Sequence, residues 1–290
     1  MPLTHTRTFS VRYYECDAHG HLNNANYLRY MQEAAFDASA AAGYDLERYT
    51  AMQRLWLIRE SGIEYLRPLH YNERVAVKTW IADFQRVSSR RAYEFYLPAN
   101  GERVANAYTD WVFLNTASGR IDRIPNSLAV DFYPDGVPDS FPPRQPFLQP
   151  PEPPPGVYRM RHTVAWSELD NMQHVNNAVY MKYVTDCGAN ALRDYGWPWE
   201  RMQTYGIGIY LRKSSVQYLQ PALLGDELEI ATWVSDVRRA TAQRHYTIRR
   251  AGDGVLLAQA NTFSVWVNLE SGQPRRIPKD FLADFAANIA

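Results

Sequence analysis

Asp17, His21, Asn23, Asn24 and Tyr27 stand together in the stretch DAHGHLNNANYLRY, and Asp170, His174, Asn176, Asn177 and Tyr180 repeat the pattern in DNMQHVNNAVYMKY. A carboxylate spaced four residues from an imidazole is a pair with proton-transfer chemistry. The Asp comes just ahead of a helical pattern, near N–H groups that have no intrahelical partner and at the positive end of the helix dipole. That setting favours an ionised carboxylate at neutral pH, able to act as a general base or as a nucleophile. The competing reading of such an Asp is an N-cap. Asn23 and Asn24, or Asn176 and Asn177, are better placed to cap, which leaves the two Asp residues for chemistry. Tyr27 and Tyr180 lie one helical turn in, on the apolar face, and read as core residues first and pocket lining second.

Cys16-Asp17-Ala18-His19-Gly20-His21 also invites a metal reading, because Cys, Asp and His are all good ligands. The second copy tests it: there Leu169 replaces Cys16 and Met172 replaces His19. A metal essential to both copies is not expected. By the same comparison Cys16 reads as a small buried hydrophobe, and Cys187, which falls on Ala34, is no nucleophile.

The repeat extends far beyond the motif. At the offset that carries Asp17 to Asp170, Gly43 falls on Gly196, Pro68 on Pro221, Trp80 on Trp233, Arg91 on Arg244, Gly101 on Gly254 and Ile124-Pro125 on Ile277-Pro278. No gap is needed, and the period is far too long for a solenoid. A whole domain is duplicated, which predicts a first domain over 1–133 and a second over 157–290. Between them, residues 134–156 hold ten of the chain's 18 prolines. Such a segment cannot form a helix or a central strand and is expected to run extended as a passive tether.

Composition narrows the class. At 46% hydrophobic and 21% charged, the 290 residues suit a globular protein with a real core. Lys plus Arg equals Asp plus Glu at 31 each, so neither nucleic acid nor a membrane surface is expected as a partner. Two cysteines cannot make a disulfide framework, the N-terminus lacks a signal-peptide pattern, and no apolar run is long enough to span a bilayer. A cytoplasmic location is the expectation.

Each copy has one layout. TFSVRYY (8–14) reads as a strand and leads into the motif. From Asn24 to Ala42, apolar residues recur at three- and four-residue spacing, and Gly43 follows as a C-cap signal, so a helix is predicted. Segments 55–66, 73–84, 89–97 and 104–115 are β-rich, with a turn at Asn100-Gly101, or Asp253-Gly254 in the second copy. Arg90, Arg91 and Arg244 read as solvated strand arginines, with contacts to a ligand's phosphates as the alternative. One long helix followed by a meander of antiparallel strands gives an α+β domain whose sheet wraps the helix.

That layout with this motif resembles the hotdog fold of acyl-thioester hydrolases. DAHGHLNNANY resembles the active-site segment of the 4-hydroxybenzoyl-CoA thioesterase family, and WSELDNMQHVNNAVY is similar to that of the acyl-ACP thioesterases, which are also tandem hotdogs. The resemblance implies an α+β double hotdog that hydrolyses acyl-CoA or acyl-ACP without a cofactor. It implies Asp17 and Asp170 as catalytic carboxylates, as base or nucleophile, with His21 and His174 beside them. N–H groups around Gly20-His21 and Gln173-His174 would then serve the oxyanion, and Asn23, Asn24, Tyr27, Asn176, Asn177 and Tyr180 would line the substrate site. It further implies that the halves pair as an intramolecular pseudo-dimer with a site on each side of the seam; a further homodimer is left open. The plant acyl-ACP enzymes carry an Asn two residues after the Asp, and His19 and Met172 stand there instead. Two rival classes remain. A hotdog hydratase would place four residues between its Asp and His, where this chain has three, and a non-catalytic acyl-binding module would need a further domain.

Overall fold

Alternating polar and apolar residues build the strands of the first half, which the computed structural model, covering residues 1–290, resolves into a unit spanning Met1–Pro146. β1 (Thr4–Ser10) leads through a 3-10 turn at Tyr13–Glu15 into the motif and then α1 (Asn24–Ala41). α2 (Leu46–Ala51), β2 (Arg54–Tyr65), β3 (Arg74–Phe84), β4 (Ser88–Tyr96), β5 (Arg103–Asn115), the two-residue β6 (Arg120–Ile121) and α3 (Asn126–Phe132) follow. The strands pair antiparallel in the order β1-β3-β4-β5-β2, with β6 added to β5. The predicted strand over 8–14 is therefore displaced: it ends at Ser10, because Glu15 turns its carboxylate back onto the N–H of Arg12 and folds the chain into the 3-10 turn.

The second half, Phe147–Ala290, repeats the plan. β7 (Tyr158–Thr163), a 3-10 turn at Trp166–Glu168, α4 (Asn177–Asp194), α5 (Trp199–Tyr205), β8 (Ile207–Tyr218), β9 (Glu227–Ser235), β10 (Thr241–Arg250), β11 (Leu256–Asn268) and α6 (Lys279–Asp284) succeed one another. Their sheet order, β7-β9-β10-β11-β8, is that of the first half. Even a β-bulge is copied, at Arg59 between β2 and β5 and at Arg212 between β8 and β11. No helix is long and apolar enough to cross a membrane.

Small residues let each long helix lie close on its sheet. α1 buries Ala25, Ala34, Ala35 and Ala38 beside Tyr27, Leu28, Tyr30 and Met31. On α4, Gly188 takes the place of Ala35, and a Cβ there would lie 2.8 Å from the Tyr246 hydroxyl. Gly43 and Gly196 end the helices with φ of +80° and +82°, the left-handed conformation that a glycine adopts without strain.

The strand arginines are not solvated. Arg91 is 5% exposed and lies 5.9 Å from the Phe132 ring centre, and Arg244 lies 5.6 Å from that of Phe285, its duplicate. Both point between helix and sheet, where aromatic faces stand in for water. Arg90 faces the opposite side and donates twice to Asp110, each at 2.7 Å. Cys16 is half-buried instead of buried, whereas Cys187 is fully enclosed and its thiol is pushed up to about 12 by burial.

The proline-rich segment forms neither helix nor strand, as its composition requires, but it is not a passive tether. Arg144 forks onto the buried carboxylate of Asp83, with Nε 2.9 Å from Oδ2, and its Nη1 lies 3.5 Å from Asp110 Oδ1. Farther on, Phe147 is buried, and the Leu148 carbonyl accepts from Asn261 Nδ2 at 2.7 Å. Gly156 closes the segment, donating to the Ala287 carbonyl and accepting from Tyr195 Oη and Asn288 Nδ2. Removing the cation of a buried pair strands its carboxylate and costs about 3 kcal/mol. Arg144→Ala is therefore expected to destabilise the first half by about that amount in urea unfolding and to speed protease cleavage within 134–146. Unchanged unfolding and cleavage would show the fork to be incidental.

Candidate functional site

The motif of each half is a tight loop between the 3-10 turn and the long helix. In the first half the Gly20 N–H donates to the Asp17 carbonyl at 2.9 Å, and the Asp17 N–H to the His21 carbonyl at 2.8 Å. Asp17 Oδ1 then accepts the main-chain N–H groups of His19 (2.9 Å) and His21 (3.1 Å). One carboxylate oxygen is thus tied into its own loop, as Asp readily does in turns. The other, Oδ2, takes no hydrogen bond within the half.

The second half repeats this. The Gln173 N–H reaches the Asp170 carbonyl at 2.9 Å, the Asp170 N–H reaches the His174 carbonyl at 3.0 Å, and Asp170 Oδ1 accepts from the Met172 N–H at 2.9 Å. Asn176 Nδ2 stands 3.5 Å from Asp170 Oδ2, and His174 Nδ1 stands 3.9 Å from Oδ1. Gly20 has φ of +75° and Gln173, in the equivalent place, +62°. The second loop therefore holds a non-glycine residue in the left-handed region that the first fills with glycine. Both Asp residues, and both His, are half-buried.

The N–H groups of Gly20, His21 and Gln173 are spent on closing the loops around the Asp, so they do not form an oxyanion pair in this conformation. Asn23 and Asn176 are the helix N-caps: their side-chain oxygens accept from the N–H of Ala25 and Ala178, each at 3.0 Å. Asn24 and Asn177 are the first helical residues, and the Asn177 carbonyl accepts from Tyr218 Oη at 3.0 Å. Tyr27 and Tyr180 are core residues, 2% and 3% exposed. Tyr27 meets Tyr65 edge-on at 5.1 Å, and Tyr180 meets Tyr218 in the same way at 5.3 Å. The Tyr180 hydroxyl accepts the Ala222 N–H at 3.2 Å, fixing the helix to the next loop.

The surroundings of the two histidines differ. His21 packs edge-on against His70 at 5.0 Å, and its ring lies 5.9 Å from that of His19. Burial, reinforced by those two imidazoles and opposed by Asp17, holds His21 below its ordinary value, so it is neutral at pH 7. His19 is lowered by burial as well. In the second half Met172 and Leu223 replace His19 and His70, so His174 has no imidazole neighbour of this kind. His70 escapes a reading of the sequence, because it reaches the motif only through the antiparallel bridge that pairs it with His21. Glu15 and Glu168 escape it too. They are buried two residues ahead of each Asp, and their recurrence at the duplication offset was the available signal.

Comparison with known proteins follows the same division. Residues 2–132 match the family model of the acyl-ACP thioesterase N-terminal domain, and residues 164–285 match that of the thioesterase-like superfamily. The acyl-[acyl-carrier-protein] hydrolase FATB2 of Cuphea viscosissima, a chloroplastic protein, is 25% identical over 196 residues, 63% of this chain and 47% of its own. The chain spans about half the length of such plant relatives. The acyl-CoA thioester hydrolase YbgC of Escherichia coli is 26% identical over 129 residues, 44% of this chain and 96% of its own. Among solved structures, the 12:0-ACP thioesterase of Umbellularia californica superposes with a TM-score of 0.71 at 20% identity, covering 90% of this chain and 93% of that one. An acyl-ACP thioesterase from Bacteroides thetaiotaomicron superposes equally well, at 16% identity, over 90% and 97%. Two halves of one plan, each a long helix against an antiparallel sheet and each matched by a thioesterase family model, make this chain a tandem member of the hotdog-fold acyl thioesterases.

Proposed function

We propose that the protein hydrolyses acyl thioesters of coenzyme A or of acyl carrier protein, with Asp17 and Asp170 as the catalytic carboxylates and His21 and His174 beside them. The observation that carries this reading is the half-tied carboxylate. Asp17 Oδ1 is fixed by the loop's own N–H groups while its Oδ2 is left to react; the second half ties Asp170 Oδ1 to its loop in the same way and sets Asn176 Nδ2 3.5 Å from Oδ2. The named relatives support the reaction class and both carriers, since the plant proteins act on acyl-ACP and the E. coli protein on acyl-CoA. Two cysteines without a disulfide suit a reducing compartment, and we place the reaction in the cytoplasm.

The same oxygen serves either route. As a base, Oδ2 takes a proton from water while the hydroxide adds to the thioester carbon; the C–S bond then breaks, and the thiolate recovers the proton. As a nucleophile, Oδ2 adds to that carbon and expels the thiolate, and water then hydrolyses the mixed anhydride. A neutral His21 can accept or donate a hydrogen bond to orient the water without competing with the carboxylate for charge. Gly20, Gln173, Asn23, Asn24, Asn176, Asn177, Tyr27 and Tyr180 shape the loop and helix face that the acyl thioester meets.

Asp→Asn keeps the shape of the side chain and removes its basicity, at about 10²–10⁴-fold for the site concerned. Asp17→Asn and Asp170→Asn are each expected to retain part of the thiol-release rate, because the other half still works, and the double variant is expected to be nearly inactive. A double variant with the wild-type rate sinks the carboxylate assignment.

The lowered pKa of His21 sets a sign for the pH profile. A base whose pKa falls on folding keeps its neutral form below the ordinary value of 6.5. With the second half silenced by Asp170→Asn, kcat/KM should hold as the pH drops through 6.5 and decline only below it. His21→Gln in that background should remove the decline assigned to the imidazole. A midpoint at or above 6.5, or a profile that His21→Gln leaves unmoved, contradicts this role.

A further inference from the structure

Glu15 and Glu168 are 7% and 9% exposed, and burying a carboxylate costs free energy unless hydrogen bonds replace its water. Glu15 Oε2 accepts from the Arg12 N–H at 2.8 Å and from the Tyr30 hydroxyl at 2.6 Å. Its carbonyl accepts from the Asn23 N–H at 2.8 Å and from Asn26 Nδ2 at 2.9 Å. One residue therefore holds three things: the turn before the loop, the cap residue after it and the second turn of α1. The loop over 16–22 leaves Glu15 and returns to it, and Asp17 lies two residues from that base.

The second half builds the same device. Glu168 Oε2 accepts from the Ala165 N–H at 2.8 Å and from the Tyr183 hydroxyl at 2.9 Å, and its carbonyl accepts from the Asn176 N–H at 2.9 Å. One partner differs. Phe9 stacks flat on Tyr30 at 4.3 Å, whereas its duplicate, His162, packs on Tyr183 at 4.7 Å and places Nε2 2.9 Å from Glu168 Oε2. Burial pushes the Glu168 carboxyl up, but the bonds from His162, Ala165 and Tyr183 outweigh it and hold it below its usual value. Both tyrosine hydroxyls are pushed upward, by burial first and by their Glu second, so each keeps its proton and donates to its Glu.

We infer that Glu15 and Glu168 are positioning residues for the carboxylates two positions later: each fixes its motif loop to its helix and thereby aims Asp17 or Asp170. This rests on the proposed hydrolase reading and deepens it. Oδ1 of the Asp is tied to the loop, so any shift of the loop base moves Oδ2 with it, and a misplacement of about 1 Å can cost on the order of 10²-fold in rate. The effect belongs in kcat, because the aim of the carboxylate matters to the chemical step and not to holding the acyl chain.

The test reads one half at a time. In the Asp170→Asn background, Glu15→Gln and Tyr30→Phe are each expected to lower kcat for thiol release by about 10-fold or more with KM nearly unchanged. The double variant should be little worse than the poorer single, because both changes release one anchor. Glu168→Gln and Tyr183→Phe should do the same in the Asp17→Asn background. Circular dichroism and thermal melting confirm that the assay is run on folded protein. Tyr30→Phe and Tyr183→Phe keep the buried ring and carry the test if a Glu variant fails to fold. If Asp17→Asn silences the first half while Glu15→Gln and Tyr30→Phe, both folded, keep its kcat, the positioning role is overturned and the hydrolase reading stands. If the wild-type protein releases no thiol from any acyl thioester, the hydrolase reading itself has failed.

Discussion

The loop that closes on Asp17, and again on Asp170, is the constraint around which each half is arranged. Here the main chain of residues 17–21 binds one oxygen and leaves the other. Such a loop needs its ends fixed. Asn23 caps α1 at one end, Glu15 anchors the turn at the other, and the Tyr27 and Tyr30 rings press the helix onto the sheet beneath. The long helix is thus a platform as much as a core element. Its alanines keep it close to the strands, and its first two turns carry the groups that hold the loop.

Duplication has preserved this machinery and relaxed its surroundings. Loop hydrogen bonds, cap, the buried Glu anchor and even the β-bulge recur, while the residues next to them have diverged. His19 and His70 become Met172 and Leu223, Phe9 becomes His162, and Gly20 becomes a left-handed Gln173. The first motif therefore sits among imidazoles, and the second beside Met172 and Leu223, with its added imidazole, His162, bonded to Glu168.

Much of this was legible in the residues. The duplication announced two copies of one layout, the three- and four-residue spacing marked α1 and α4, and the β-rich runs fall within a residue or so of β2 to β5. What escaped depended on contacts distant in sequence or on geometry that no spacing encodes. The alternation through Tyr14 looked like strand, but the Glu15 carboxylate reaches back to Arg12 and breaks it. Arg91 and Arg244 looked solvated because arginines usually are, and their packing against Phe132 and Phe285, at the far end of each half, is a contact distant in sequence. Arg144, with Phe147, Leu148 and Gly156, turns a proline-rich tether into a docked segment. His70 joins the first motif through a bridge to His21 that the sequence does not announce.

The central claim is that the chain breaks the C–S bond of an acyl thioester. It is tested most directly by giving the wild-type protein an α,β-unsaturated acyl thioester and following free thiol and the conjugated double bond in one reaction. Thiol released in step with free acid, with the double bond intact, is the result expected of a hydrolase. Loss of the double bond with the thioester preserved would make the chain a hydratase and contradict the assignment of Asp17 and Asp170 to hydrolysis.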